Sequence, residues 1–351
     1  MPFDPQRLTP TGSLNRVPFI AARSISMPAE YEGKSAFSLI GTRALDALVL
    51  DHREELQLTT DEIASGSLSY ALRSRLTYGD PAVSATASHV VSEYGRRLGY
   101  LVAILTRGDA ESRAARPEWD ESYWVHWGSI ERLFLGGGLA WPEMCDAARS
   151  LVRASSPGIE VILPPHPTYR PVIGAARSLH VGDGTALVID FGQTETKRVV
   201  VVYRGGTLQR LEALPVMPAS PLQGMAYIDW IAGAITSSTP AESSVASICV
   251  SSYLDQNQHP AVYANGRFND IQGKIANLRD WLSAEVSGRV GRACEVSILH
   301  DTTAAGVSLS PASHTAIIML GTALGSGFPY ETDERLTPLA PDFTVLAPDK
   351  R

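Results

Sequence analysis

The sequence predicts an α/β protein of two lobes, and three observations carry that reading. Strand-like and helix-like segments alternate from Thr185 to Leu320. Glycine turns at 136–138, 190–197 and 321–327 each follow an apolar, strand-like run. A chain of 351 residues is also long enough to bury the cores of two ordinary domains.

The elements follow in order. The first forty residues are rich in Pro, Ser and Arg, with short β-like pieces at 17–21 and 36–40 and no readable role. Thr59, Thr60 or Asp61 suits the cap of a helix running through Ile63, Leu68 and Leu72 toward Arg75. Gly79, Asp80 and Pro81 interrupt it. A second helix follows from about Ala82, with Val90, Val91, Tyr94, Leu98, Leu101, Val102 and Leu105 at helical spacing.

After a polar, aromatic-bearing connection at 107–129, Glu131-Arg-Leu-Phe-Leu-Gly-Gly-Gly-Leu-Ala140 reads as strand, glycine turn, helix. Pro142 suits the first helical turn, and Met144, Ala147, Ala148 and Leu151 continue a periodic face. A strand at 161–163, a proline-rich loop and a short helix at 172–179 come next. From Thr185 an antiparallel meander is expected: a strand at 186–189, a turn at 190–196, a strand at 197–203, then Arg204-Gly-Gly206 turning into another. Helices near 222–235 and 273–286 alternate with strands near 245–250 and 296–299. A last strand at 316–320 runs into Gly321-Thr-Ala-Leu-Gly-Ser-Gly327, and the tail reads as strand and loop.

Composition excludes several classes of function. The apolar fraction of 44% and charged fraction of 19% are near globular averages. A formal charge of -7 without a basic block gives nucleic acid or an anionic membrane little to hold, although a nucleotide can bind through backbone N–H groups and a metal ion. Cys145, Cys249 and Cys294 make neither a disulfide framework nor a C-x-x-C motif, so a reduced cytoplasm is expected. No apolar run approaches the ~20 residues of a membrane span. The start, MPFDPQRLTP, lacks the charged and then apolar character of an export signal.

Glycines after a strand let backbone approach a ligand, and successive N–H groups in such turns suit phosphate oxygens. The strand at 296–299 delivers His300 and Asp301 at its end, where a carboxylate can accept a hydroxyl proton.

These segments resemble the bacterial ROK sugar kinases (repressors, open reading frames and kinases), of the sugar-kinase, hexokinase and actin-like ATPase superfamily. Asp190-Phe-Gly192-Gln-Thr194-Glu-Thr-Lys197 is similar to the first phosphate motif, D-x-G-x-T-x-x-K. His300-Asp301-Thr302 resembles the catalytic Asn-Asp segment, and is closer to the Asn-Asp-Thr of hexokinases. Leu320-Gly-Thr-Ala-Leu-Gly-Ser-Gly327 resembles the second phosphate loop, L-G-T-G-x-G-x-G, and Phe134-Leu-Gly-Gly-Gly138 the adenosine-side glycine motif.

The resemblance implies ATP and Mg²⁺ as cofactors and a two-lobed actin-like ATPase (ribonuclease H-like) fold with the site in the cleft. It implies Asp301 as general base and Asp190 holding Mg²⁺ through water. Gly192, Gln193, Thr194, Lys197, Gly321, Thr322 and Ala323 would face phosphates, and Gly136, Gly137 and Gly138 the adenosine. Asn265 and His300, with Asp301, would meet a sugar-like substrate, and a homodimer is a family-level expectation.

The order of the motifs is exchanged. The family ends on a G-A-A helix, which here is similar to Val172-Ile-Gly-Ala-Ala176, shortly before the family-like beginning at Thr185. Ile63-Ala-Ser-Gly66 and Tyr78-Gly-Asp-Pro81 also resemble C-lobe landmarks. A circular permutation is therefore expected: a C-terminal-type lobe at 1–180, mostly helical with a sheet; an N-terminal-type lobe at 181–327; and a tail at 328–351 returning to the first lobe. Termini close together at a surface make this tolerable. The family's zinc-binding cysteines have no counterpart in 48–60, where His52 and nearby carboxylates fall short of a four-ligand site, so no zinc is expected.

Each residue also has a plain structural reading. Asp190 suits a strand-end turn and Lys197 a solvated strand opening. Asp301 suits a helix cap, a role compatible with catalysis, and His300 suits packing. Gly321, Thr322, Gly325 and Gly327 suit a hairpin, Gly136 to Gly138 close packing, and Asn265-Gly266 a standard turn pair. Trp230, Trp281, Leu282 and the cysteines suit core. The function expected is transfer of the γ-phosphoryl group of ATP to a sugar or cyclitol hydroxyl. The alternatives are a nucleotide-binding regulator without turnover, a kinase for a non-sugar alcohol such as pantothenate, and a structural interaction protein.

Overall fold

The computed structural model describes residues 3–22, 25–66, 68–256, 258–261, 266–271 and 273–347. They form a mixed α/β structure with two sheets, and the chain divides into two units. The strands in chain order are β1 (Arg132–Gly136), β2 (Glu160–Ile162), β3 (Gly184–Phe191), β4 (Glu195–Arg204), β5 (Thr207–Ala213) and β6 (Met217–Pro218). They continue with β7 (Val245–Val250), β8 (Glu295–His300), β9 (Thr315–Leu320), β10 (Leu324–Gly327) and β11 (Leu339–Leu346). Among the described residues, no helix is long and apolar enough to cross a membrane.

The first unit contains Thr11–Thr168 and His314–Ser326, with the extreme amino-terminal residues. Its sheet has the order β10-β9-β1-β2, with β1 parallel to both β9 and β2; Leu133 sits opposite Ala316 on one side and Val161 on the other. The long helix Pro81–Arg107 starts where Asp80 accepts the N–H groups of Ala82 and Val83, and ends where Gly108 turns left-handed. Its periodic positions, Val90, Val91, Tyr94, Leu98, Leu101, Val102 and Leu105, are all buried.

Three local readings change in this unit. Residues 36–40, expected as β-like, form the helix Ala36–Ile40, because the Ser35 hydroxyl caps it by accepting the Ser38 N–H. The 17–21 piece contributes only an isolated bridge, Pro18 to Ser35. The single helix expected to reach Arg75 is two, Thr60–Ser65 and Leu68–Tyr78. Thr59 and Glu62 make a capping box at the start of the first, and Gly66 ends it with φ 67°.

The second unit contains Tyr169–Ser313 and the chain from Gly327 onward, with Pro5–Pro10. Its sheet has the order β11-β5-β4-β3-β7-β8, with β6 paired to β4. Strands β3, β4 and β5 are the expected antiparallel meander, while β7 and β8 extend the sheet parallel to β3. The helix Gly224–Ser238 precedes β7 and the helix Leu278–Val290 precedes β8, as crossovers between parallel strands require. The second begins later than expected because Asn277 caps it at the Asp280 N–H.

Both faces of this sheet are buried, and β3 divides between them with a period of two. Leu187, Ile189 and Phe191 pack with Ile228, Ile231, Ile235, Leu282 and Val286. Ala186 and Val188 pack on the other side with Val172, Ile173, Ala176 and Ala304. On that side the helix Arg170–Arg177 lies against the helix Asp301–Val307. A Cβ at Gly174 would stand 1.7 Å from the Ala304 carbonyl oxygen, so this contact has room for glycine alone.

The unit boundaries differ from the expected lobes. The helix Arg170–Arg177 joins the second unit rather than the first, since its apolar side completes that core. Strands β9 and β10 complete the first unit's sheet rather than the second's. The tail, expected to return to the first lobe, lies in the second unit: β11 pairs with β5, and the Thr337 N–H donates to the Arg177 carbonyl at 2.7 Å. Leu339, Phe343 and Val345 supply the apolar contacts that hold it there.

Candidate functional site

In the second unit, β3, β7 and β8 end level, with Phe191 in register with Val250 and Val250 with His300. Ligands of open α/β sheets gather beyond such carboxyl ends. Asp190 precedes the end of β3 and is 7% exposed. Lys197 of β4 is directly opposite, so the two side chains share a face. Its Nζ is 4.0 Å from Asp190 Oδ2 and 2.8 Å from Glu195 Oε1. Lys197 is thus a half-buried ammonium between two carboxylates, not a solvated strand opening, and Glu195 is a partner that the motif spacing did not reveal.

Asp301 opens the helix Asp301–Val307 straight from β8, with His300 at the cap position. It is therefore the first helical residue rather than the cap, although its Oδ1 accepts the Thr302 N–H at 2.7 Å. His300 Nδ1 lies 3.1 Å from Thr303 Oγ1, and its ring packs 4.3 Å from that of Tyr253. His300 Nε2 is 3.4 Å from Asp301 Oδ1. Burial lowers the imidazole pKa to about 3, so His300 is neutral near pH 7 and gives Asp301 no counter-charge.

The electrostatics join these groups. Burial pushes the Asp301 carboxyl up to about 8, and the charge of Asp190 adds to the rise. Burial also raises Asp190, against the opposing pull of Lys197. Burial acts to lower Lys197, yet the charges of Asp190 and Glu195 outweigh it and leave the ammonium above its ordinary range. Cys249, paired with Asp190 in register, is held well above a normal thiol by burial and then by Asp190 and Asp301. Tyr169 is raised by burial, with Lys197 and Glu195 acting on it. Neither Tyr169 nor Cys249 was singled out for this site by sequence.

The turn after β3 carries Gly192, Gln193 and Thr194, the last two exposed. A Cβ at Gly192 would meet the Glu195 carbonyl oxygen at 2.7 Å. Among the described residues no acceptor faces the N–H groups of Gln193 or Thr194. Arg267 donates to the Gly192 carbonyl at 3.0 Å and the Gln193 carbonyl at 2.8 Å. Asn265 lies outside the described residues.

In the first unit, Gly136, Gly137 and Gly138 leave β1 beside the end of β9, the strand that leads into Gly321, Thr322 and Ala323. Gly137 has φ 92°, and a Cβ there would stand 2.2 Å from the Leu320 carbonyl oxygen. Gly138 meets nothing within 4 Å, so its place is not dictated by packing. Thr42 N–H donates to Gly321 O at 3.1 Å. Asn15, from the stretch without a readable role, accepts the Leu324 N–H through Oδ1 and donates to the Leu324 carbonyl through Nδ2, each at 2.8 Å. Its amide thereby stands in for a neighbouring strand at the second glycine loop.

Two hard-oxygen carboxylates at one sheet end fit magnesium, which is held by one or two protein carboxylates together with water and phosphate. Among the described residues, no group of three or more His, Cys, Asp or Glu side chains gathers as a metal-holding cluster.

No protein-family model matches the chain, and no curated protein matches it. Among solved structures the chain is similar to ethanolamine utilization protein EutJ from Carboxydothermus hydrogenoformans, at 11% identity and a TM-score of 0.26. The match covers 51% of this chain and 65% of that one, so the chain spans just under two thirds of that structure's length. A likeness of this size carries no statement about activity.

Proposed function

We propose that the chain is an ATP-dependent phosphotransferase that passes the γ-phosphoryl group to a hydroxyl of a sugar or cyclitol, with Asp301 as general base. One observation carries the reading: Asp190 near the end of β3 and Asp301 just past the end of β8 stand at the same end of one sheet, with β7 between their strands, and both have raised proton affinity. A general base works best when its pKa lies near the operating pH, and Asp301 at about 8 is in that range.

In the proposed step the acceptor oxygen bonds to the γ-phosphorus as the bond to the bridging oxygen breaks, and ADP leaves. The acceptor proton passes to Asp301. Oδ1 already accepts the Thr302 N–H, so the proposal assigns the proton to Oδ2. Magnesium, when bound, would neutralise charge on the transferring group, with Asp190 holding it through water. Lys197 and the N–H groups of Gln193 and Thr194 would face phosphate oxygens.

The meander β3-β4-β5, extended by parallel β7 and β8 through helical crossovers, supports the ribonuclease H-like reading of the second unit. The first unit's sheet, in which β9 and β10 join β1 and β2, supports the exchanged order of the lobes. The glycines at 136–138 and 321–323 enter through the sequence resemblance, and Gly136 and Gly137 pack against Met319 and Leu320, which lead into 321–323.

The test is incubation with Mg·ATP and a panel of sugars, cyclitols and other alcohols, with products identified by mass. A phosphorylated sugar or cyclitol supports the proposal, and a phosphorylated alcohol of another kind reassigns the acceptor. A second reading, a nucleotide-binding regulator without turnover, is favoured by His300, which stands in place of the family's Asn and packs on Tyr253. Nucleotide binding with no product across the panel would establish that second reading.

A further inference from the structure

We infer that Arg267 is the positioning residue of the turn at 192–194, holding the N–H groups of Gln193 and Thr194 as a paired donor site for phosphoryl oxygens. The inference rests on the nucleotide-binding reading above and adds a residue that neither the motif spacing nor the resemblance indicates.

A trans peptide is planar, with the carbonyl of one residue pointing opposite to the N–H of the next. Arg267 Nη1 donates to Gly192 O at 3.0 Å and Nη2 to Gln193 O at 2.8 Å. Drawing those two carbonyls toward the guanidinium turns the following N–H groups, of Gln193 and Thr194, away from it. Both point from an exposed turn and meet no acceptor among the described residues. Successive N–H groups presented this way form a concavity suited to an anion. With its carbonyls released, the turn could rotate an oxygen into that place, where it would repel phosphate.

The guanidinium is itself fixed. Its carbon lies 5.5 Å from the centroid of the Tyr227 ring. Tyr227 is 1% exposed and stacks on Trp230 with ring centroids 5.8 Å apart. The backbone carbonyl of Arg267 accepts the Gly224 N–H at 2.8 Å, which ties the residue to the start of the helix Gly224–Ser238. The arginine thus connects the buried core of the unit to an exposed turn. Lysine cannot substitute, because a single ammonium on a flexible stem lacks the planar fork that engages two carbonyls together. Lys197, the nearby cation of the motif, is already engaged by Glu195 and Asp190.

The experiment measures binding of ADP and of adenosine to the full chain by calorimetry, for wild type, Arg267→Ala and Arg267→Lys. Adenosine has no phosphate, so a positioning role predicts loss of ADP affinity by about ten-fold or more in the alanine variant, with adenosine changed less than about two-fold. Lysine should fail to restore ADP binding, and this arm carries the test if the alanine variant does not fold. Without nucleotide, the amide resonances of Gln193 and Thr194 should also shift or broaden in both variants. Equal ADP affinity in wild type and variants, or equal loss for ADP and adenosine, would overturn the inference while leaving the nucleotide reading intact. Failure of wild type to bind either ligand would instead overturn the nucleotide reading, and the inference with it.

Discussion

The carboxylate of Asp190 adds to the burial that raises the proton affinity of Asp301, and together they lift its pKa to about 8. The two belong to different strand ends, brought level because β3, β7 and β8 are in register. Charge on one is therefore read by the other, as two nearby carboxylates must.

Asp190→Asn should lower the pKa of Asp301 but leave it above an ordinary carboxylate, since burial is the larger cause. Carboxyl ¹³C titration of wild type and variant checks this. An unchanged Asp301 midpoint would show that the two carboxylates do not interact.

The same shift makes stability depend on pH. Asp301 binds its proton more tightly folded than unfolded, so the native state holds the extra proton between 3.8 and about 8. The contribution is fully present below that window and is lost as pH rises through about 8. Denaturant midpoints for wild type relative to Asp301→Asn should fall between about pH 5 and about pH 8. A constant difference between the two proteins would contradict the raised pKa.

Gly174→Ala should destabilise the second unit, although alanine normally favours a helix interior by about 1 kcal/mol. The added Cβ would meet Ala304 O at 1.7 Å, and the backbone must move to accept it. The expected cost is about 1–3 kcal/mol in urea unfolding. A more stable variant would show that the two helices are not in this contact.

Lys197→Met keeps the length of the side chain and removes its charge. Lys197 pulls Asp190 down against the effect of burial, so the variant should show Asp190 raised further. Binding of Mg·ATP should weaken by about ten-fold in calorimetry. Unchanged affinity would assign Lys197 to the structure of the β3–β4 hairpin alone.

The fold was legible where pattern is local. The meander of the second unit follows from the apolar run at 186–189 and the turns at 190–196 and 204–206, and the long helix from Asp80, Pro81 and its apolar stripe. Short segments were not: the five residues Ala36-Phe-Ser-Leu-Ile40 are too few to show a helical period, and the Ser35 cap decides in favour of helix. The tail also escaped, because β11 and β5, with Leu339 opposite Leu208, pair across a long stretch of sequence. In the candidate site, motif spacing singled out Asp190, Lys197, His300 and Asp301. It could not single out Arg267 or Tyr169 in the second unit, or Asn15 beside the glycine loop of the first, whose contacts arise only when remote segments fold together.

The most direct test compares wild type with Asp301→Asn, using Mg·ATP and the best acceptor from the panel, with ADP affinity measured alongside. The account predicts phosphorylated acceptor from wild type, with transfer by the variant reduced by about a hundred-fold or more and ADP affinity preserved. Undiminished transfer by the variant, or no product from wild type with any acceptor, would contradict it.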